Sequence, residues 1–196
     1  MKIGVLALQG DFALHARALE RCGVEVVEVR KPEQLADIDG LVIPGGESTT
    51  LLKLMDDWQF VPALEKFHAA GRPMFGTCAG LILLARQVAN PPQFSLGFID
   101  VDVERNAYGR QRESFEGRGT AMLAGATTPL EMVFIRAPRI RAVGTGVEVL
   151  ARHGDAPVMV RQRHVLVASF HPEVTGDDAV HRYFCGMVQA AAWERR

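Results

Sequence analysis

The chain has 196 residues, 48% of them hydrophobic and 23% charged. That is the usage of a folded globular protein, and it excludes disordered, collagen-like and coiled-coil classes. The length suits one domain, read here as residues 1–196, and is short for two. A formal net charge of −1 gives no electrostatic ground for binding nucleic acid or an anionic membrane.

The opening "MKIGVLALQGD" carries an apolar run from Ile3 to Leu8 that is too short for a signal peptide and reads as a strand. No run approaches the roughly 20 apolar residues of a membrane helix, so a cytoplasmic location is expected. After it come "FALHARALERCG" as a helix, "VEVVEV" and "DGLVIPGG" as strands, "TTLLKLMDD" and "FVPALEKFHAAG" as helices, and "PMFG" as a fourth strand. Strands alternating with helices predict βαβ units and a parallel sheet, and nearly continuous apolar strands fit a sheet covered on both faces. A helix is predicted from Ala79 to Val88. Beyond it, "LGFIDVDVE", "MVFIRAP", "GVEVLAR", "PVMVRQ" and "VLVASFHP" follow one another with little helix between, which predicts antiparallel additions. A last helix covers about Asp178 to Trp193. The expected fold is α/β, a three-layer sandwich on a mostly parallel central sheet.

Three cysteines, Cys22, Cys78 and Cys185, form no Cys-x-x-Cys pair, and so suggest neither a disulfide framework nor a zinc site. Cys78 stands out by position. Ligands gather at the carboxyl ends of parallel strands, where "LQGD", "PGGEST" and "GTCAG" fall after the first, third and fourth strands. "GTCAG" has the Gly-x-Cys-x-Gly spacing of a nucleophile elbow, Gly76 to Gly80, with a helix starting just after the sulfur. A helix N-terminus favours a thiolate. The plainer alternative is a buried cysteine with no chemistry.

A thiolate nucleophile needs a base and a group to orient it. "SFHPEV" supplies His171 and Glu173 two residues apart at the end of an apolar strand, where alternate side chains share a face. The carboxylate can then hold one imidazole nitrogen while the other meets Cys78. His15, His68 and His181 fall in helical patterns and His153 and His164 in turn-rich segments; polar-face or satisfied-core roles suit them. In "PGGEST", Gly45 and Gly46 allow close backbone approach to a ligand. With the amide of Ala79 they could form an oxyanion hole, or they could form a simple turn before a helix capped by Ser48 or Thr49.

Together these motifs resemble class I glutamine amidotransferases. "LALQGDFALH", "PGGESTTL", "MFGTCAGLILLA", "VERNAYGRQRESFE", "FIRAP" and "SFHPE", spread from Leu6 to Glu173, resemble in order the glutaminase subunits of pyridoxal 5'-phosphate synthases. That resemblance implies hydrolysis of L-glutamine with Cys78 as nucleophile, His171 as base and then acid, and Glu173 as orienter. It also implies glutamine contacts at Gly46, Glu47, Ser48, Arg105, Ile135 and Arg136. The expected oxyanion donors are Gly46 and Ala79, with Gly10 as a further candidate. The implied partner is a (β/α)8-barrel synthase subunit that receives the ammonia, and no cofactor or metal is required. Arginine forks suit an α-carboxylate, whereas the run Arg110, Arg112, Glu113, Glu116 and Arg118 reads as a solvated face. Two rivals remain: a hydrolase of the same fold serving another acceptor, such as a γ-glutamyl hydrolase, and a catalytically silent partner-binding subunit.

Overall fold

In the computed structural model, which describes residues 1–105, 107 and 114–194, the first half of the chain alternates as its pattern predicts. β1 (Lys2–Leu6), α1 (Phe12–Arg21), β2 (Glu25–Val29), β3 (Gly40–Ile43), α2 (Ser48–Asp57), α3 (Phe60–Ala69) and β4 (Met74–Thr77) follow in order. α4 (Ala79–Leu84), β5 (Ala85–Ala89), β6 (Ile99–Glu104), β7 (Ser114–Leu123), β8 (Ala126–Ile135), β9 (Arg139–Val143), β10 (Glu148–His153), β11 (Ala156–Gln162), β12 (Val165–Ala168) and α5 (Ala179–Glu194) complete it.

Nine strands form one sheet in the order β2-β1-β3-β4-β12-β11-β10-β7-β8. The first five are mutually parallel, with Leu41 beside Met74 and Val165 beside Met74 on β4's other edge. From β12 outward every pairing is antiparallel. The central strands GLVI, MFGT and VLVA are buried throughout, because helices cover both faces. On one face Leu19 of α1 and Val180, Phe184 and Val188 of α5 pack on Ile3, Val5, Val42, Phe75 and Leu166. On the other, Leu51, Met55, Phe60, Leu64 and Leu84 of α2, α3 and α4 pack on Leu41, Ile43, Met74, Val165 and Val167. This is the expected three-layer sandwich. β1 lies between β2 and β3, so the chain leaves it in opposite directions on its two sides. The crevice between the ends of β1 and β3 is therefore the switch point where such sheets bind ligands.

Two details differ from the sequence pattern. The helix after Cys78 ends at Leu84 rather than Val88, and residues 85–89 form β5, parallel to β6. Arg86 there points outward and pairs with Asp100 and Asp102, contacts that a continuing helix would forgo. β5, β6 and β9 make a separate three-stranded sheet instead of extending the large one, and their Val88, Ile99, Val101, Val103 and Ile140 join the core of the α4 face. Among the described residues of the charged run, Arg118 is exposed and 3.6 Å from Glu131, a solvated pair; Arg110, Arg112 and Glu113 lie outside the described residues. No described helix is long and apolar enough to cross a membrane.

Candidate active site

Cys78 sits between β4 and α4 with φ 48° and ψ −99°, a backbone conformation that costs a non-glycine residue about 1–3 kcal/mol and persists only when its surroundings dictate it. Here its N–H donates to the Ala168 carbonyl at 2.9 Å and its carbonyl accepts from Ile82 N at 3.2 Å. The flanking glycines have a packing cause. A Cβ on Gly80 would lie 2.2 Å from the Ile43 carbonyl oxygen, and one on Gly76 would lie 2.6 Å from the Gly80 carbonyl carbon. Strand and helix thus approach too closely for any side chain, and the sulfur is turned out at the apex.

His171 Nδ1 is 2.7 Å from Glu173 Oε1, with both side chains buried. The pair is not made across a strand face, as the i, i+2 spacing predicts. β12 ends at Ala168, and Pro172, which lacks an N–H to continue a ladder, opens a 3-10 turn over Pro172–Val174 that folds Glu173 back under the imidazole. The His171 N–H donates to the Val133 carbonyl at 2.8 Å, anchoring the turn to β8. With Nδ1 engaged, Nε2 is the nitrogen left for Cys78. Burial lowers the His171 pKa, but the Cys78 sulfur and the Glu173 carboxylate outweigh it and push the value up to about 10. Burial likewise opposes the charge on Glu173, yet His15 and His171 together hold it well below the usual carboxylate range.

Cys78 and His171 border a cavity of about 210 Å³ that Asp11, Gly46, Glu47, Ser48, Ile82, Arg105, Ile135, Arg136 and Pro138 complete. All six residues expected to contact glutamine therefore face one space. Glu47 caps α2, accepting from Thr49 N at 3.1 Å and Oγ1 at 2.8 Å, so the cap is neither Ser48 nor Thr49. Those bonds, followed by Arg105 and Arg136, keep its carboxyl below the ordinary range, and Arg105 Nη2 stands 3.5 Å from its Oε1. Ser48 donates to Gln93 Oε1 at 2.9 Å. Cys78 Sγ is 3.9 Å from the Ile135 carbonyl, which the two-residue Ala124-Gly125 turn of the β7–β8 hairpin helps to bring back to the sheet edge. A cavity with both an acid and two arginines is chemically matched to an amino-acid zwitterion.

The oxyanion-hole candidates divide. Gly46 lines the cavity with φ +140°, and a Cβ there would meet the Gln9 amide at 2.3 Å. Ala79, the first residue of α4, and Gly10, at φ +87° with its Cβ position 1.8 Å from the Gly45 oxygen, are not among the lining residues. Asp11, His171 and Glu173 each place a potential metal-ligand atom within 4.8 Å of the others, though Nδ1 and Oε1 of the last two already hold each other.

Three further buried polar residues, His15, Thr77 and His181, stand behind the triad. His15 of α1 lies 3.3 Å from Glu173 Oε2 and 3.0 Å from Thr77 Oγ1 through Nε2, and 3.0 Å from His181 Nε2 through Nδ1. The signal for His15 is its place on the buried stripe of α1 with Ala18 and Leu19, since a polar group there must find a partner; nothing in the sequence says which.

The sequence pattern of the SNO glutamine amidotransferase family matches residues 5–190. The chain is 59% identical to a pyridoxal 5'-phosphate synthase subunit PdxT of Koribacter versatilis, covering 96% of each chain. It is 56% identical to that of Pelotomaculum thermopropionicum, covering 94% and 93%. A crystal structure described as a glutamine amidotransferase superposes with a TM-score of 0.88 at 50% identity, over 95% of this chain and 98% of that one. With an elbow cysteine, a histidine–carboxylate pair and a matching pattern over nearly its whole length, the chain belongs to the SNO glutamine amidotransferase family.

Proposed function

We propose that the chain is the glutaminase subunit of a pyridoxal 5'-phosphate synthase, hydrolysing L-glutamine to L-glutamate and ammonia. The observation that carries the reading is the 2.7 Å His171–Glu173 bond behind an elbow cysteine, on a cavity bordered by Glu47, Arg105 and Arg136. Arg105 and Arg136 take the substrate α-carboxylate, Glu47 its ammonium, and Gly46, Ser48 and the Ile135 backbone complete the grip. The Cys78 thiolate attacks the side-chain carbonyl carbon, and the oxyanion is held by the amides of Gly46 and Ala79, with the Gly10 peptide as a third donor. As the carbon–nitrogen bond breaks, His171 gives its proton to the departing ammonia. It then takes one from the water that attacks the γ-glutamyl thioester, and glutamate leaves. Thiolate, imidazole and amides supply nucleophile, proton and charge stabilisation, so the steps call for no cofactor or metal.

Free ammonia becomes ammonium in neutral water and loses its nucleophilicity, which favours direct transfer to a synthase subunit, taken here to be a (β/α)8 barrel, in the cytoplasm. Neither nucleic acid nor membrane enters this reading, which treats residues 1–196 as one glutaminase domain. Glutamate release by the full chain, with and without the synthase partner, tests it. Release that requires Cys78 and rises on docking is expected; release undiminished in Cys78→Ala would overturn it.

A further inference from the structure

We infer that His15 is a positioning residue for catalysis, the buried polar partner that fixes Glu173 beneath His171. The inference rests on the glutaminase reading above and deepens it. Glu173 is fully buried, and His171 Nδ1–H serves only its Oε1. A buried carboxylate with one oxygen unpaired is costly. Among the described residues Oε2 makes no hydrogen bond of ordinary geometry, and His15 Nε2 stands 3.3 Å from it.

The tautomer follows from the surrounding network, assigned from the hydrogen bonds rather than from hydrogens. If His15 carried its proton on Nδ1, its Nε2 lone pair would face the carboxylate, and His181 would have to accept at Nε2 and bury an unpartnered Nδ1–H. With the proton on Nε2, His15 donates to Thr77 Oγ1 at 3.0 Å with Glu173 Oε2 alongside at 3.3 Å, and its Nδ1 accepts from His181 Nε2–H at 3.0 Å. That leaves His181 Nδ1, which has no hydrogen-bond partner among the described residues, as a bare lone pair, the less costly orphan. Burial, then His15, brings the His181 pKa down to about 3, so it is neutral, as this arrangement requires. The result is a buried polar row from α5 through α1 to the 3-10 turn: His181 donates to His15, His15 stands against Glu173, and Glu173 accepts from His171, which faces the sulfur. Other charged groups stand at its edges, with Asp178 and Arg21 beside His181 and Asp11 beside Glu173.

The test is a double-mutant cycle on glutamate release by the complex of full chain and synthase partner, read across pH. His15→Phe keeps an aromatic ring on the apolar stripe but cannot donate. It should lower kcat roughly 10- to 100-fold, the range seen when groups that orient a reacting residue are removed, with KM nearly unchanged. The acid limb of the profile should move to higher pH, because Glu173 loses a polar partner that favours its charged form. His15→Gln, whose amide reaches the position of Nε2, should recover much of the rate, whereas the shorter His15→Asn should not. In a Glu173→Gln background, His15→Phe should cost little more. Equal losses in both backgrounds, an unmoved acid limb, or Asn matching Gln would overturn the inference while leaving the glutaminase reading intact. Should His15→Phe not fold, the Gln and Asn comparison decides alone. If Cys78→Ala keeps wild-type release, both fall together.

Discussion

Gly45→Ala probes how tightly the imidazole is held. An ideal Cβ at Gly45 would lie 2.4 Å from His171 Cε1, 3.0 Å from Nδ1 and 3.4 Å from Cys78 Cβ. Carbon atoms in ordinary contact stand about 3.5–4.0 Å apart, so the ring must retreat by about 1 Å. Its bond to Glu173 is 2.7 Å long, and a retreat of that size takes it past about 3.5 Å, where a hydrogen bond is no longer made. A misplacement of about 1 Å costs a reacting group about 10²-fold, and overpacking a buried site costs about 1–3 kcal/mol of stability. Glutamate release should therefore fall about 100-fold in a protein that keeps its circular dichroism spectrum and melts a few degrees lower. A well-folded variant with wild-type turnover would show that His171 has room to move, and that the close packing around it does not set the rate.

Glu173→Gln keeps the volume but removes the orienting charge, and turnover should drop by about 10⁴-fold, as acid-member replacements do in such triads; near-normal turnover would contradict the role given to the 3-10 turn. A glutamine-analogue electrophile should modify Cys78 and spare the other cysteines, because burial pushes the Cys185 thiol up to about 12 and raises that of Cys22; peptide mapping that ties inactivation to either would refute this. His68 and His164 face each other at 2.9 Å, and burial lowers both, His68 from 6.5 to about 4. The unfolded chain thus takes up protons first, so this contribution to stability is intact above pH 6.5 and lost as pH falls toward about 4. The thermal midpoint should decline across that window, and less steeply in His68→Phe, which keeps the stack on Phe98; equal slopes would contradict it.

The parallel half of the fold is legible because its strands are short, apolar and separated by amphipathic helices, so periodicity alone places β1, β3 and β4. The elbow is legible for a related reason: only glycine fits at Gly76 and Gly80, and that steric need is written into the residue types. What the pattern hides is long-range. Residues 85–89 read as helix because "LILLARQV" is apolar at helical spacing, and only the pairing with β6 and the two aspartates facing Arg86 turn them into a strand. The His171–Glu173 contact is predictable as a pair but not in its geometry, since the proline between them decides that a turn rather than a strand brings them together. His15 and His181 are the plainest case. Each reads as a histidine on a helix, and their meeting at Glu173 depends on α1 and α5 covering the same face of the sheet, which no local spacing records.

The central claim is that Cys78 becomes acylated during turnover. Rapid acid quenching of the chain with its synthase partner during glutamine hydrolysis, followed by peptide mass mapping, tests it most directly. The account predicts a γ-glutamyl thioester on the peptide bearing Cys78, absent in Cys78→Ala. Glutamate release at the wild-type rate with Cys78 unmodified at every time point, or an adduct on Cys22 or Cys185 instead, would contradict it.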